Sequence, residues 1–188
     1  DAANFGRVEV RLVGELFLDE SKNETVILPE LSWGNYKLMW HIKKRANLAT
    51  YPLFDDSLSH FNLSGFKSTL TKTLAKEEKA FVLFNFPQNP TGYSLSHEEV
   101  KQVEECLLEF ANKGKKLVVV CDDAYWGLCY EKSHRKESLF SLFSQLHENI
   151  LAIKIDGCTK EVQEKIRPRK NFEKIYKNVQ YFIEQRNK

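Results

Sequence analysis

The sequence predicts an α/β fold, a three-layer sandwich with a mainly parallel central sheet, on three observations. Short apolar runs alternate with amphipathic helical stretches along the 188 residues, the pattern of βαβ units. Two of those runs, Ala80–Phe86 and Lys116–Cys121, are continuous rather than alternating, as in strands buried on both faces. The chain shows neither an internal repeat nor a low-complexity segment, so one layered domain is the simplest arrangement for its length.

In chain order, a helix is expected near 8–19 and a short β-leaning strand at Thr25–Pro29. Helix 34–45, strand Ala49–Phe54 and helix 64–76 come next. After strand Ala80–Phe86 comes the best-defined helix, Ser96 to Asn112. Ser96 and Glu99 form a capping box, each side chain answering an amide of the first turn. Val100, Val103, Leu107 and Phe110 then make a helical stripe, and Gly114 stands where the helix should stop. Strand Lys116–Cys121, helix 138–147 and strand Ile150–Ile155 complete the body. A last helix, 170–186, carries Phe172, Ile175, Tyr176, Val179, Phe182 and Ile183 on one face, which reads as an ordinary packed helix with a solvated basic face.

Composition narrows the classes. Hydrophobic residues are 42% and charged residues 29%, values of a globular chain rather than a disordered one. No apolar run approaches a membrane span and no signal-like segment opens the sequence, so neither membrane nor secretion is expected. The net charge of +2 is uneven: residues 160–188 hold nine Lys/Arg against four Glu. The body is therefore mildly acidic, which argues against nucleic acid as a partner. Cys106, Cys121, Cys129 and Cys158 match no disulfide or zinc spacing, and a reduced, cytoplasmic protein is expected. The five histidines show no metal-ligand spacing, and GxGxxG, GxxxxGK[ST] and GxSxG are all absent.

Ligands of parallel α/β folds sit beyond the carboxyl ends of the strands. Those ends carry Asn89-Pro90-Thr91-Gly92, Asp122-Asp123-Ala124-Tyr125 and Thr159-Lys160, with Trp33-Gly34-Asn35-Tyr36 after the first strand. An amide, a carboxylate with a phenol, an amine and an aromatic are thus directed to one end of the sheet. Taken singly, each has a plain origin: turn chemistry, a cap, a solvated lysine, a core tryptophan.

Taken together and in this order, the elements resemble the large domain of the class I/II aminotransferases, which depend on pyridoxal 5'-phosphate. The resemblance runs from about Arg11 to Glu161. It implies a cofactor-binding large domain over 1–161, incomplete, followed by a C-terminal amphipathic helix over 162–188. It implies Lys160 as the Schiff-base lysine, which also shuttles a proton. Asp122 would keep the ring nitrogen protonated, so that the ring withdraws electrons. Tyr125 and Asn89 would donate to the cofactor's phenolic oxygen, Asn89 also reaching the substrate carboxylate. Trp33 would stack on the ring face. Asp123 receives no role. The implied reaction moves an amino group between an amino acid and a 2-oxo acid, in a homodimer.

The sequence also departs from the family. The glycine-rich phosphate loop is not recognisable in Asn4–Val10, and Gly157 stands where a hydroxyl is common. Arg167 and Arg169 flank the place of a phosphate-binding arginine in a different context, and the small domain is not identifiable. Two explanations stay open: a fragment, or a sequence with stretches missing near Val10 and Glu161. The alternative functions are another enzyme of the same fold, a lyase or decarboxylase, or an inactive binding and dimerisation module.

Overall fold

The computed structural model describes residues 2–19, 22–126 and 137–155. Five strands form one fully parallel sheet: β1 (Thr25–Pro29), β2 (Asn47–Tyr51), β3 (Lys79–Asn85), β4 (Lys116–Asp122) and β5 (Ile150–Ile155). Their spatial order is β2-β1-β3-β4-β5. The chain steps from β1 outward to β2, then back past β1 to β3. The order therefore reverses between β1 and β3, and a doubly wound sheet opens its ligand crevice at that reversal.

Helices cover both faces, as the sequence predicts. Helix α1 (Ala2–Phe17) and a π-helical turn (Lys37–Ile42) lie on one side with Val26, Leu28, Phe81, Leu83, Val118 and Val120 of the sheet. Helices α2 (Leu63–Leu74), α3 (His97–Ala111) and α4 (Leu139–Phe143) lie on the other, against Ile27, Val82, Phe84, Leu117, Val119 and Cys121. Successive strand residues alternate between the layers because side chains of a strand point to opposite faces. The continuous apolar runs of β3 and β4 result from that double burial.

Local signals act where they stand. The Ser96–Glu99 capping box is formed, with the Ser96 amide 2.7 Å from the Glu99 carboxylate. Val100, Val103, Leu107 and Phe110 are buried, and Gly114 takes a φ of +80°, open to glycine at little cost. Asn62 caps α2 by accepting from the Gly65 amide at 2.9 Å.

Two elements differ from expectation. Strand β2 begins two residues earlier than predicted and ends at Tyr51, before Pro52. The helix expected over 34–45 contains the wide π turn instead; hydrophobic spacing over so few residues does not separate it from an α-helix. The expected helix 170–186 and segment 162–188 lie outside the described residues.

Cys106 and Cys121 are buried free thiols. Burial pushes the Cys106 thiol up to about 11, and Cys121 is raised further for the same reason, so both pack as small hydrophobes. No helix among the described residues is long and apolar enough to cross a membrane.

Candidate active site

The site lies where β1, β3 and β4 end. Asp122 is the last residue of β4 and only 5% exposed. Strand alternation sends it to the α1 face, and Asp123, one residue on, to the opposite face. There Asp123 lies 2.8 Å from the Lys154 ammonium of β5, which also stands 5.4 Å above the Trp126 ring. Two adjacent carboxylates thus have separate fates. Asp123 joins an ion pair that ties β4 to β5.

Asp122 is held from two sides. The buried Tyr36 hydroxyl donates to Oδ2, and the Ala124 amide donates to Oδ1 at 3.0 Å. Each carboxylate oxygen has two lone pairs, so capacity is left for another donor. Burial, and then the nearby Asp122 charge, hold the Tyr36 phenol well above its ordinary pKa, so it stays a proton donor. Tyr36 is placed by the π turn: its ring stacks on Trp40 at 5.7 Å, and Trp40 Nε1 donates to the Val10 carbonyl of α1 at 2.9 Å. Gly14 makes room for that tryptophan, since a Cβ there would meet the indole at 2.8 Å.

Asn89 comes after β3 in a turn closed by Gln88, whose side-chain oxygen accepts from the Thr91 amide at 3.0 Å and the Thr91 hydroxyl at 2.6 Å. Gly92 takes a φ of +74° there. Buried Asn85 connects this turn to β4: its Nδ2 donates to the Asp122 carbonyl at 3.0 Å, and its Oδ1 accepts from the Asn89 amide at 2.9 Å. Asn89 Nδ2 in turn approaches the exposed Tyr125 hydroxyl at 3.4 Å.

Of the residues singled out in the sequence, Asp122, Asn89 and Tyr125 are brought to one strand-end cluster. Trp33 is half-buried beside it and meets Tyr36 edge-on, with centroids 5.4 Å apart and planes at 85°. Lys160 lies outside the described residues, as do Gly157, Arg167 and Arg169. Tyr36 and Asn85 are site residues that the sequence reasoning did not single out. Asn85 had a signal, an amide interrupting the aromatic run Phe84-Asn85-Phe86 at a strand end. Tyr36 had only its place in Trp33-Gly34-Asn35-Tyr36.

The donor set suits a planar, nitrogen-containing aromatic ring bearing an oxygen. A buried carboxylate can accept from a protonated ring nitrogen, and an amide and a phenol stand together to meet an oxygen.

A doubly wound parallel sheet with a carboxylate fixed at its switch-point end defines an α/β protein with a strand-end ligand site. The sequence model for "Aminotransferase class I and II" matches residues 5–159. The chain is 29% identical over 136 residues to the "Probable N-acetyl-LL-diaminopimelate aminotransferase" of Bacillus subtilis (strain 168), covering 71% of this chain and 30% of that protein. It is 28% identical over 122 residues to "Aspartate aminotransferase, cytoplasmic" of Caenorhabditis elegans, covering 65% and 28%. Among solved structures, the aminotransferase from Anaerococcus prevotii DSM 20548 superposes with a TM-score of 0.70 at 30% identity, over 79% of this chain and 36% of that one. The chain therefore belongs to the class I and II aminotransferase family. It spans about a third of the length of the relatives it matches.

Proposed function

We propose that this chain forms the cofactor-facing part of a pyridoxal 5'-phosphate-dependent aminotransferase that moves an amino group between an amino acid and a 2-oxo acid. The observation that carries the proposal is the Asp122 carboxylate, buried at the strand-end crevice with a phenol on one oxygen and a backbone amide on the other. Family membership supplies the cofactor class, and the donor set fits it. When bound, the cofactor supplies an electron-withdrawing ring that stabilises negative charge beside the amino-acid Cα.

The chain's own residues then divide the tasks. Asp122 accepts from the ring nitrogen and keeps it protonated. Tyr36 and the Ala124 amide fix the Asp122 carboxylate in orientation before anything binds, a preorganised charge on a buried side chain. Asn89 and Tyr125 donate to the ring oxygen, and Asn89 also meets the substrate carboxylate. Trp33 covers one face of the ring. Lys160 would hold the cofactor covalently and, once the substrate's amino group has displaced it, its freed amine would carry the proton to and from the substrate carbon.

Residues 1–161 are proposed as the incomplete large domain and 162–188 as a C-terminal amphipathic helix. A homodimer and a cytoplasmic location complete the proposal. Support for the location comes from the two free buried thiols and from the cytoplasmic relative named above.

The test is spectroscopic. Addition of pyridoxal 5'-phosphate should produce an absorption band near the visible edge that survives gel filtration, and Lys160→Ala should abolish it. No band in the unmodified protein, or an equal band in Lys160→Ala, would overturn the assignment.

A further inference from the structure

Away from the crevice, the outer edge of β2 is the floor of an open groove of about 900 Å³. Strand β2 pairs with β1 alone. The Asn47 amide donates to the Glu24 carbonyl at 3.0 Å, and the Glu30 amide donates to the Tyr51 carbonyl at 2.9 Å. Residues 47, 49 and 51 therefore address β1. In a parallel ladder the amides and carbonyls of the intervening residues, Leu48 and Thr50, face away from it, into the groove. These are unfilled strand-pairing positions.

The groove has two walls. The π turn supplies Lys37 and His41, while α2 and the turn after it supply Thr69, Lys72 and Lys76. Among the described residues, no ion pair is formed by Lys37, Lys72 or Lys76. By contrast Lys67, Lys79, Lys113, Lys115 and Lys154 each lie within 3.0 Å of a carboxylate. The groove also contains Glu77, which accepts from the Thr25 amide and hydroxyl and keeps its negative charge. Glu30 stands at one end. Each wall therefore carries at least one lysine in no ion pair among the described residues, and the three lysines outnumber Glu30 and Glu77.

A strand laid in this groove would send alternate side chains toward each wall. With cations on both, the segment that fits is extended and acidic on both faces. We propose that the β2 edge docks an extended acidic segment of a partner protein by strand addition, with the backbone of Leu48 and Thr50 giving affinity and Lys37, Lys72 and Lys76 selecting charge.

The experiment uses the 188-residue chain and a fluorescein-labelled octapeptide, Glu-Glu-Thr-Thr twice over, which puts Glu on both faces of an extended strand; binding is monitored by anisotropy. Expected is saturable binding, weakened about tenfold or more by the double substitution Lys72→Glu/Lys76→Glu, which places like charges along the segment. Both lysines are exposed, so the variant should keep the parent's circular dichroism. A peptide N-methylated at every residue should lose binding, since it retains charge but has no amide on either edge to pair with the strand. The proposal is overturned if the octapeptide does not bind. It is equally overturned if a Lys-Thr counterpart or the N-methylated peptide binds as well, or if the double variant binds unchanged. Equal competition by an oligonucleotide of the same charge would also overturn it, by showing a surface that reads charge alone.

Discussion

On the face covered by α2, α3 and α4, the sheet meets rings and branched aliphatics: Phe66 packs on Phe84 at 5.4 Å, and Phe84 on Phe143 at 5.8 Å. On the face covered by α1 and the π turn, a polar chain runs through the apolar layer. Trp40 donates to α1, its ring stacks on Tyr36, and Tyr36 donates to Asp122. The same strands serve both faces, and strand alternation alone decides which side a residue joins. The first face gains stability from burial without direction. The second fixes one carboxylate in one orientation, through partners that are themselves held. Removing a ring from the first should therefore cost the whole fold, and removing a hydroxyl from the second should cost the site.

The largest expected effect tests the first half of that statement. Phe66→Ala should destabilise the chain by about 3–5 kcal/mol, the usual cost of deleting a fully buried ring. Urea denaturation measures it. Under conditions where the variant remains folded, its cofactor affinity should match that of the parent.

Tyr36→Phe should show the opposite pattern. It keeps the ring that stacks on Trp40 and deletes only the hydroxyl that donates to Asp122. A hydrogen bond to a charged group contributes about 1.5–3 kcal/mol, and the loss should appear mainly as weaker cofactor binding. Equal losses of stability in Tyr36→Phe and Phe66→Ala would erase the distinction between the faces.

The smallest effect concerns acid. Glu99, under the α2–α3 face, accepts from Tyr93 at 2.6 Å, from the Phe61 amide at 2.8 Å and from Ser96. Burial pushes its carboxyl up, but these hydrogen bonds outweigh burial and leave it below the ordinary carboxylate range. A depressed folded-state value means the contribution is present above the unfolded value and is lost as pH falls through the folded one. The stability gap between the parent and Glu99→Gln should therefore be full at pH 7 and close in acid. A gap that widens in acid would contradict the sign.

Much of the fold was legible in the sequence. Strands β1 and β5 begin and end where the apolar runs do, and the Ser96–Glu99 box sets the start of α3 because capping is local. The gathering of Asp122, Asn89 and Tyr125 at one end of the sheet was legible for a related reason: parallel strands place their carboxyl ends together whatever the packing. Tyr36 was not, because its contact with Asp122 spans 86 residues and depends on a π turn, a stacked tryptophan and a glycine in α1. Nor was the end of β2 at Tyr51, because the run's β-leaning character continues past it to Phe54. Asp123 has no role that local sequence could reveal, because its partner, Lys154, is set by sheet order.

The central claim is that Asp122, held by Tyr36, keeps the ring nitrogen of the cofactor protonated. Nitrogen NMR of the chain loaded with ¹⁵N-labelled pyridoxal 5'-phosphate tests it most directly. The account predicts a protonated ring-nitrogen shift in the parent protein and an unprotonated one in Asp122→Asn. The same shift in both would contradict it.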